Sequence, residues 1–182
     1  MAVEVVDPTS RKALIEFIRM AWRVYRYDTR WVPPIVVDYL QFLRPDKNPF
    51  FKHAEGVYFL SRDAKGRPQG RIAVTVDHNY EEFHGERMGA FGFFEVVKDY
   101  AVAQELLDAA LEWLREREVE VVRGPLSFSM NHECGLLIEG FNESPLIMMP
   151  YNPPYYQEFL ERYGFIKAKD PVSYTHLTLP TN

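Results

Sequence analysis

Residues 88–97 read Met-Gly-Ala-Phe-Gly-Phe-Phe-Glu-Val-Val, an apolar run broken only by Glu95. A strand with no polar alternation is covered on both faces, so this segment predicts a central strand with helices or loops over both sides of its sheet. The flanking segments supply such cover. Gly56 to Arg62 and Gly70 to Val76 read as strands joined through the turn Asp63-Ala-Lys-Gly-Arg-Pro-Gln69, a hairpin. Asp99 is placed to cap a helix from about Ala101 to Arg117, with Val102, Leu106, Leu107, Ala110, Leu111 and Leu114 on its buried stripe.

The rest of the chain follows the same logic. Val3 to Val6 form a short strand, and Asp7-Pro8-Thr9-Ser10 carries helix-start chemistry. From Arg11 to about Tyr25, apolar residues recur at helical spacing. Trp31-Val-Pro-Pro34 breaks that pattern, and Ile35 to Leu43 gives a second short helix ending before Pro45. Val119 to Val122 is a strand, Pro153 to Tyr163 a helix stopped by Gly164, and Phe165 to Lys169 a last strand. The predicted order is strand, two helices, three strands, helix, strand, helix, strand. That order implies an α/β domain of the α+β type, with a mixed, twisted sheet and helices on both faces.

A length of 182 residues suits one domain, and 13 Phe, 11 Tyr and 3 Trp are enough for a large core. The net charge of −5 lacks the excess of basic residues that marks a nucleic-acid partner. Cys134 is the single cysteine, so no intramolecular disulfide forms. With no secretory h-region and no long apolar run, a cytoplasmic protein without a membrane partner is expected.

The last residues change character. Val172-Ser-Tyr-Thr-His-Leu-Thr-Leu-Pro-Thr181 resembles the translation of a transposon-end adapter used in sequencing libraries, with Pro171 at the junction. The expected native domain is therefore 1–170, C-terminally truncated, and 171–182 is excluded from functional argument, His176 included.

Two stretches carry a family resemblance. Lys98-Asp-Tyr-Ala-Val-Ala103, entering a helix after a central strand, is similar to the phosphate-binding loop R/Q-x-x-G-x-G/A of the GNAT-like acyl-CoA N-acyltransferases. Phe159-Leu-Glu-Arg-Tyr-Gly-Phe165 is similar to that family's L-Y-x-x-x-G-F. Two longer blocks, Arg123-Gly-Pro-Leu-Ser-Phe-Ser-Met-Asn-His-Glu-Cys-Gly-Leu-Leu137 and Met148-Met-Pro-Tyr-Asn-Pro-Pro-Tyr-Tyr156, resemble a bacterial subgroup of GNAT-like proteins about twice this length. The resemblance implies an acyl-CoA or acetyl-CoA donor, no metal, and a small-molecule or peptide amine as acceptor. It places the CoA pyrophosphate at Lys98, Tyr100, Ala101, Val102 and Ala103, where backbone N–H groups and the helix dipole hold an anion. The chain departs from the pattern in alanines at both glycine positions, Asp99 beside the anion, and Leu160 where the family has the tyrosine that protonates the leaving thiolate.

An N-acyltransferase also needs a base for the amine and donors that polarise the thioester carbonyl. The candidate base is Glu95, a lone carboxylate whose burial would raise its pKa; its bland alternative is a structural ion pair. Ser129 and Asn131, in the polar loop after the strand Val119 to Val122, are candidates to orient acceptor or carbonyl, or else to support the loop. Two rival readings stay open. One is a catalytically silent GNAT-like binding module. The other is a hydrolase using Cys134 beside His132, which requires an exposed thiol bonded to a histidine.

Overall fold

The structure, a computed structural model, describes residues 2–170. The adapter-like tail and its His176 lie outside the described residues. Five strands, β1 (Ala2–Val5), β2 (Ala54–Arg62), β3 (Pro68–Asp77), β4 (Met88–Val96) and β5 (Val121–Arg123), form one sheet in sequence order. The first four run antiparallel to their neighbours, and β5 joins β4 in parallel. The helices are α1 (Arg11–Arg19), α2 (Ala21–Val24), α3 (Val36–Phe42), α4 (His78–His84), α5 (Tyr100–Arg115) and α6 (Tyr155–Tyr163), with a 3-10 turn at Pro49–Lys52.

Each face of the sheet has its own core. On one side α5 and α6 press Leu106, Leu107, Ala110, Leu114, Phe159 and Leu160 onto Ile72, Val74, Phe91, Phe94 and Val96. On the other, α1 and α3 bring Leu14, Phe17, Ile18, Leu40 and Leu43 to Tyr58, Leu60, Ala73 and Phe93. The mixed sheet and its two-sided cover match the sequence expectation. Burying each of these large apolar side chains is worth about 1.5–3 kcal/mol, which is what makes the unbroken apolar β4 favourable only in the middle.

Three expectations are corrected. The helix expected from Arg11 to Tyr25 is interrupted at Met20. The Arg71 guanidinium donates to the carbonyls of Phe17 and Ile18, both 3.0 Å away, and so competes for acceptors that a continuous helix would use. Helix α4 was not anticipated, because it has no buried residue and hence no apolar period. Its caps are explicit, however: Asp77 accepts from the Asn79 N–H, and Gly85 adopts a left-handed conformation. The last expected strand, Phe165 to Lys169, is not a strand. Phe165 packs on Phe91, ring centroids 5.0 Å apart, while Ile166 is exposed, and among the described residues no partner strand lies alongside.

Strands β4 and β5 pair only from Met88–Ala90 to Val121–Arg123. Beyond that the chain still touches β4 at Leu126, whose N–H donates to the Phe91 carbonyl at 2.6 Å, whereas the Val96 N–H and carbonyl farther along β4 bond to tyrosine hydroxyls and not to a strand. Within β4 the register against β3 shifts by one residue between Ala73–Gly92 and Arg71–Glu95, with Phe93 at a φ of +49°. This is a β-bulge. Gly92 is required there, since an added Cβ would overlap the Leu126 carbonyl.

Candidate active site

The bulge decides where Glu95 points. Phe91 faces the α5 core, and simple alternation would send residue 95 to that same side. The extra residue inverts the parity: Phe93 joins the α1 core, Phe94 and Val96 the α5 core. Glu95 thereby shares a face with its cross-strand partner Arg71. The Arg71 Nη2 lies 3.8 Å from the Glu95 Oε1, with side chains 4% and 13% exposed. The guanidinium is held between the Phe17 and Phe93 rings, 5.2 and 5.7 Å from their centroids.

The other Glu95 oxygen accepts from the Tyr156 hydroxyl at 2.8 Å. That same hydroxyl accepts the Val96 N–H at 2.8 Å. Burial pushes the Glu95 carboxyl up to about 7, and Arg71 with the Tyr156 and Tyr25 hydroxyls keeps it from rising further. A carboxylate poised there accepts a proton efficiently at neutral pH.

Glu95 opens into a cavity of about 560 Å³. Its polar floor includes Arg71, Glu95, Ser127 and Glu133, and its walls come from two apolar segments, Trp31 to Ile35 and Pro145 to Met149. Several wall residues are also solvent-exposed: Val32, Ile35, Leu146, Met148 and Ile147, the last 93% exposed. The walls are tied together by Tyr25 donating to the Tyr151 carbonyl, Tyr151 to Asp28, and Arg30 to the Asn142 carbonyl. Asn152, buried, braces the loop by exchanging hydrogen bonds with both backbone groups of Leu137.

Of the residues singled out from sequence, Glu95 lies in this cavity, whereas Ser129 and Asn131 do not line it. The Ser129 hydroxyl is 2.9 Å from His132 Nδ1 and receives the Asn131 N–H, and Asn131 is exposed. This is the loop-supporting arrangement. Lys98 and Tyr100–Ala103 lie at the start of α5, outside the cavity. Asp99 caps the Ala101 N–H, Val102 and Ala103 are buried in the core, and Tyr100 packs under Arg162 and against Phe159. Lys98 is exposed, 6.0 Å from the Tyr155 ring.

The β4 edge where the strands part is occupied. The Tyr155 hydroxyl donates to the Val96 carbonyl at 2.7 Å, complementing the Tyr156 contact with the Val96 N–H. Cys134 has Met130 Sδ as its neighbour at 3.6 Å, not a histidine, and burial raises its thiol pKa. His53 Nδ1 lies 2.8 Å from the Asp77 carboxylate.

Sequence reasoning missed Arg71 and Tyr39 as site residues, and held Ser127, Glu133 and Tyr156 only as members of the blocks 123–137 and 148–156. An arginine inside the otherwise apolar strand Gly70 to Val76 was the legible signal, since a buried charge requires a partner. Glu133 gave no such signal from within a polar loop.

No protein-family model matches the chain. Over 173 residues it is 34% identical to the bacterial ceramide synthase of Caulobacter vibrioides, covering 94% of this chain and 45% of that protein. Over 165 residues it is 32% identical to YghO of Escherichia coli, covering 91% of this chain and 42% of that protein. The chain thus spans less than half the length of these curated relatives. Among solved structures, the aminoglycoside 6'-N-acetyltransferase AAC(6')-Ih of Acinetobacter baumannii matches with a TM-score of 0.56 at 10% identity, over 97% of both chains. The aminoglycoside acetyltransferase meta-AAC0020, from an uncultured soil metagenomic sample, matches at 0.55 and 13% identity, over 98% of this chain and 95% of that one. AAC(6')-Iy, solved with a bisubstrate analog of CoA and acetylneamine, matches at 0.55 and 12% identity, over 97% of both chains. At such identities the likeness is one of fold: the chain has the GNAT-like acyltransferase fold.

Proposed function

We propose that this chain is an acyl-CoA-dependent N-acyltransferase domain whose acceptor is an amine on an apolar chain. The observation that carries the reading is Glu95, a carboxyl held near pH 7 at the floor of an apolar-walled cavity beside the diverging strands. In the reaction, Glu95 takes a proton from the amine, and the nitrogen attacks the thioester carbonyl. A C–N bond forms, the C–S bond breaks, and the leaving CoA thiolate takes up the proton that Glu95 removed from the nitrogen, which returns Glu95 to its basic form. The apolar walls favour an acceptor with a hydrocarbon tail. The relative named a ceramide synthase agrees, because a ceramide is the N-acyl amide of a long-chain amine.

A donor site at Lys98 and Tyr100–Ala103 draws support from the fold and from the exposed Lys98 beside a helix N-terminus. A second reading, a silent binding module, is favoured by one observation: Tyr155 and Tyr156 occupy the Val96 backbone groups at the edge a thioester would use. Thermal unfolding with acetyl-CoA and longer acyl-CoAs separates the two. A donor at about 100 times its dissociation constant stabilises the fold by about 2.7 kcal/mol, and Lys98→Glu abolishes that shift. No shift with any thioester, in a protein that melts cooperatively, establishes the silent module.

A further inference from the structure

We infer that Glu133, held by Tyr39, is the docking carboxylate for the acceptor's ammonium group, and that it makes the cavity select protonated primary amines over alcohols of the same chain length. This rests on the amine-acceptor reading of the site and adds the positioning residue for it.

The backbone places Glu133 firmly. Leu126 and Cys134 form an antiparallel bridge, and the Ser127 N–H donates to the Glu133 carbonyl at 2.8 Å. Glu133 and Ser127 therefore line the cavity side by side. The Tyr39 hydroxyl donates to the Glu133 Oε1 at 3.1 Å, and the Tyr39 ring stands edge-on to Phe93 at 5.6 Å. A carboxylate so restrained keeps its position when a ligand arrives.

Charge then defines the ligand. Arg71 is the cation of the cavity floor: its Nη1 serves the Phe17 and Ile18 carbonyls, its closest carboxylate is Glu95, and its Nε makes no hydrogen bond. Among the described residues Glu133 has a tyrosine partner and no cation within ion-pairing distance. When both carboxyls are ionised, one arginine leaves the floor short of positive charge. A carboxylate in poorly solvated surroundings is costly until a cation reaches it. Burial accordingly raises the Glu133 pKa, while Tyr39 and Arg71 oppose the rise. A primary ammonium meets the deficit with three N–H donors, for which Glu133, Glu95 and the Ser127 hydroxyl are the acceptors on the floor. Its hydrocarbon tail lies along the apolar walls. An alcohol brings the tail without the charge, and a fatty carboxylate adds a third negative charge.

Calorimetric titration of the full chain with octylamine, octanol and octanoate at pH 7, without any thioester, tests the inference. Octylamine is expected to bind at least tenfold more tightly than octanol. Glu133→Gln removes that preference, leaving octanol binding and the melting temperature near those of the parent, and Glu133→Asp restores part of it. Equal affinity for octylamine and octanol, or unchanged octylamine affinity in Glu133→Gln, overturns the assignment. In turnover with acyl-CoA, Glu133→Gln raises KM for the amine and Glu95→Gln lowers kcat. Amine-selective binding without acylated product would retain the dock and remove the transferase reading. Product formation with no amine selectivity would do the reverse.

Discussion

Arg71 and Glu95 face each other across β3 and β4 on the α1 side of the sheet, Nη2 to Oε1 at 3.8 Å, and both are nearly enclosed by protein. That separation is longer than a hydrogen bond, so Arg71 acts on Glu95 chiefly through its field. The carboxyl is left near neutrality, not driven deep into the ionised range.

The first consequence concerns pH. Burial moves the Glu95 carboxyl from 4.5 to about 7, so the folded state binds this proton more tightly than the unfolded chain. Its favourable share of stability is complete below pH 4.5 and is lost as pH rises through 7, a difference of about 3 kcal/mol. Glu95→Gln should match the parent near pH 4.5 and exceed it by up to about 3 kcal/mol at pH 8. Urea unfolding of both proteins across that range checks this; parallel curves would contradict it.

Arg71→Met removes two hydrogen bonds to α1 carbonyls and the cation beside Glu95. Breaking a buried charged contact of this kind costs about 3–5 kcal/mol. Because Arg71 lowers the Glu95 pKa, the basic form should appear at higher pH in the variant. The measurements are chemical denaturation and the acidic limb of a pH–rate profile, which should move to alkaline values.

Tyr156→Phe leaves the buried Val96 N–H without its acceptor and takes a donor from Glu95. An unsatisfied buried group costs about 1–3 kcal/mol. The expected result is a loss of that size, together with a Glu95 pKa raised further and visible in carboxyl NMR titration. A stability equal to the parent's would mean that the Val96 N–H has found another acceptor.

Gly92→Ala should destabilise by at least about 2 kcal/mol, since its Cβ would collide with the Leu126 carbonyl oxygen and backbone atoms yield poorly. Gly66→Ala is the contrast. Its turn has open space around it, so the cost comes only from a positive φ of 74°. Thermal melts of the pair should rank Gly92→Ala as the more damaging.

Much of the fold was legible because local rules and tertiary packing agree. The apolar stripe from Val102 to Leu114 turned toward the sheet, Ser10, Asp99 and Gly164 took their places at helix ends, and the Asp63 to Gln69 turn closed its hairpin. Legibility failed where an element had no buried face, as in α4, or needed a neighbour, as in Phe165 to Lys169. Ser129 and Asn131 were site candidates because their polar loop follows a strand, and the hydrogen bonds they make are local to that loop.

The sequence by itself determined the two-sided sheet, because an unbroken apolar strand has no stable place except between two layers. It also marked Glu95 as a carboxylate bound for low dielectric. What Glu95 faces was decided only in three dimensions. A one-residue bulge at Gly92 and Phe93 inverts the side-chain parity of β4, and chain segments far apart in sequence bring Arg71, Tyr39, Glu133 and Tyr156 to the same floor. Periodicity records which face a residue takes within its own strand, whereas charge, protonation and selectivity arise from contacts across elements, which no local pattern encodes.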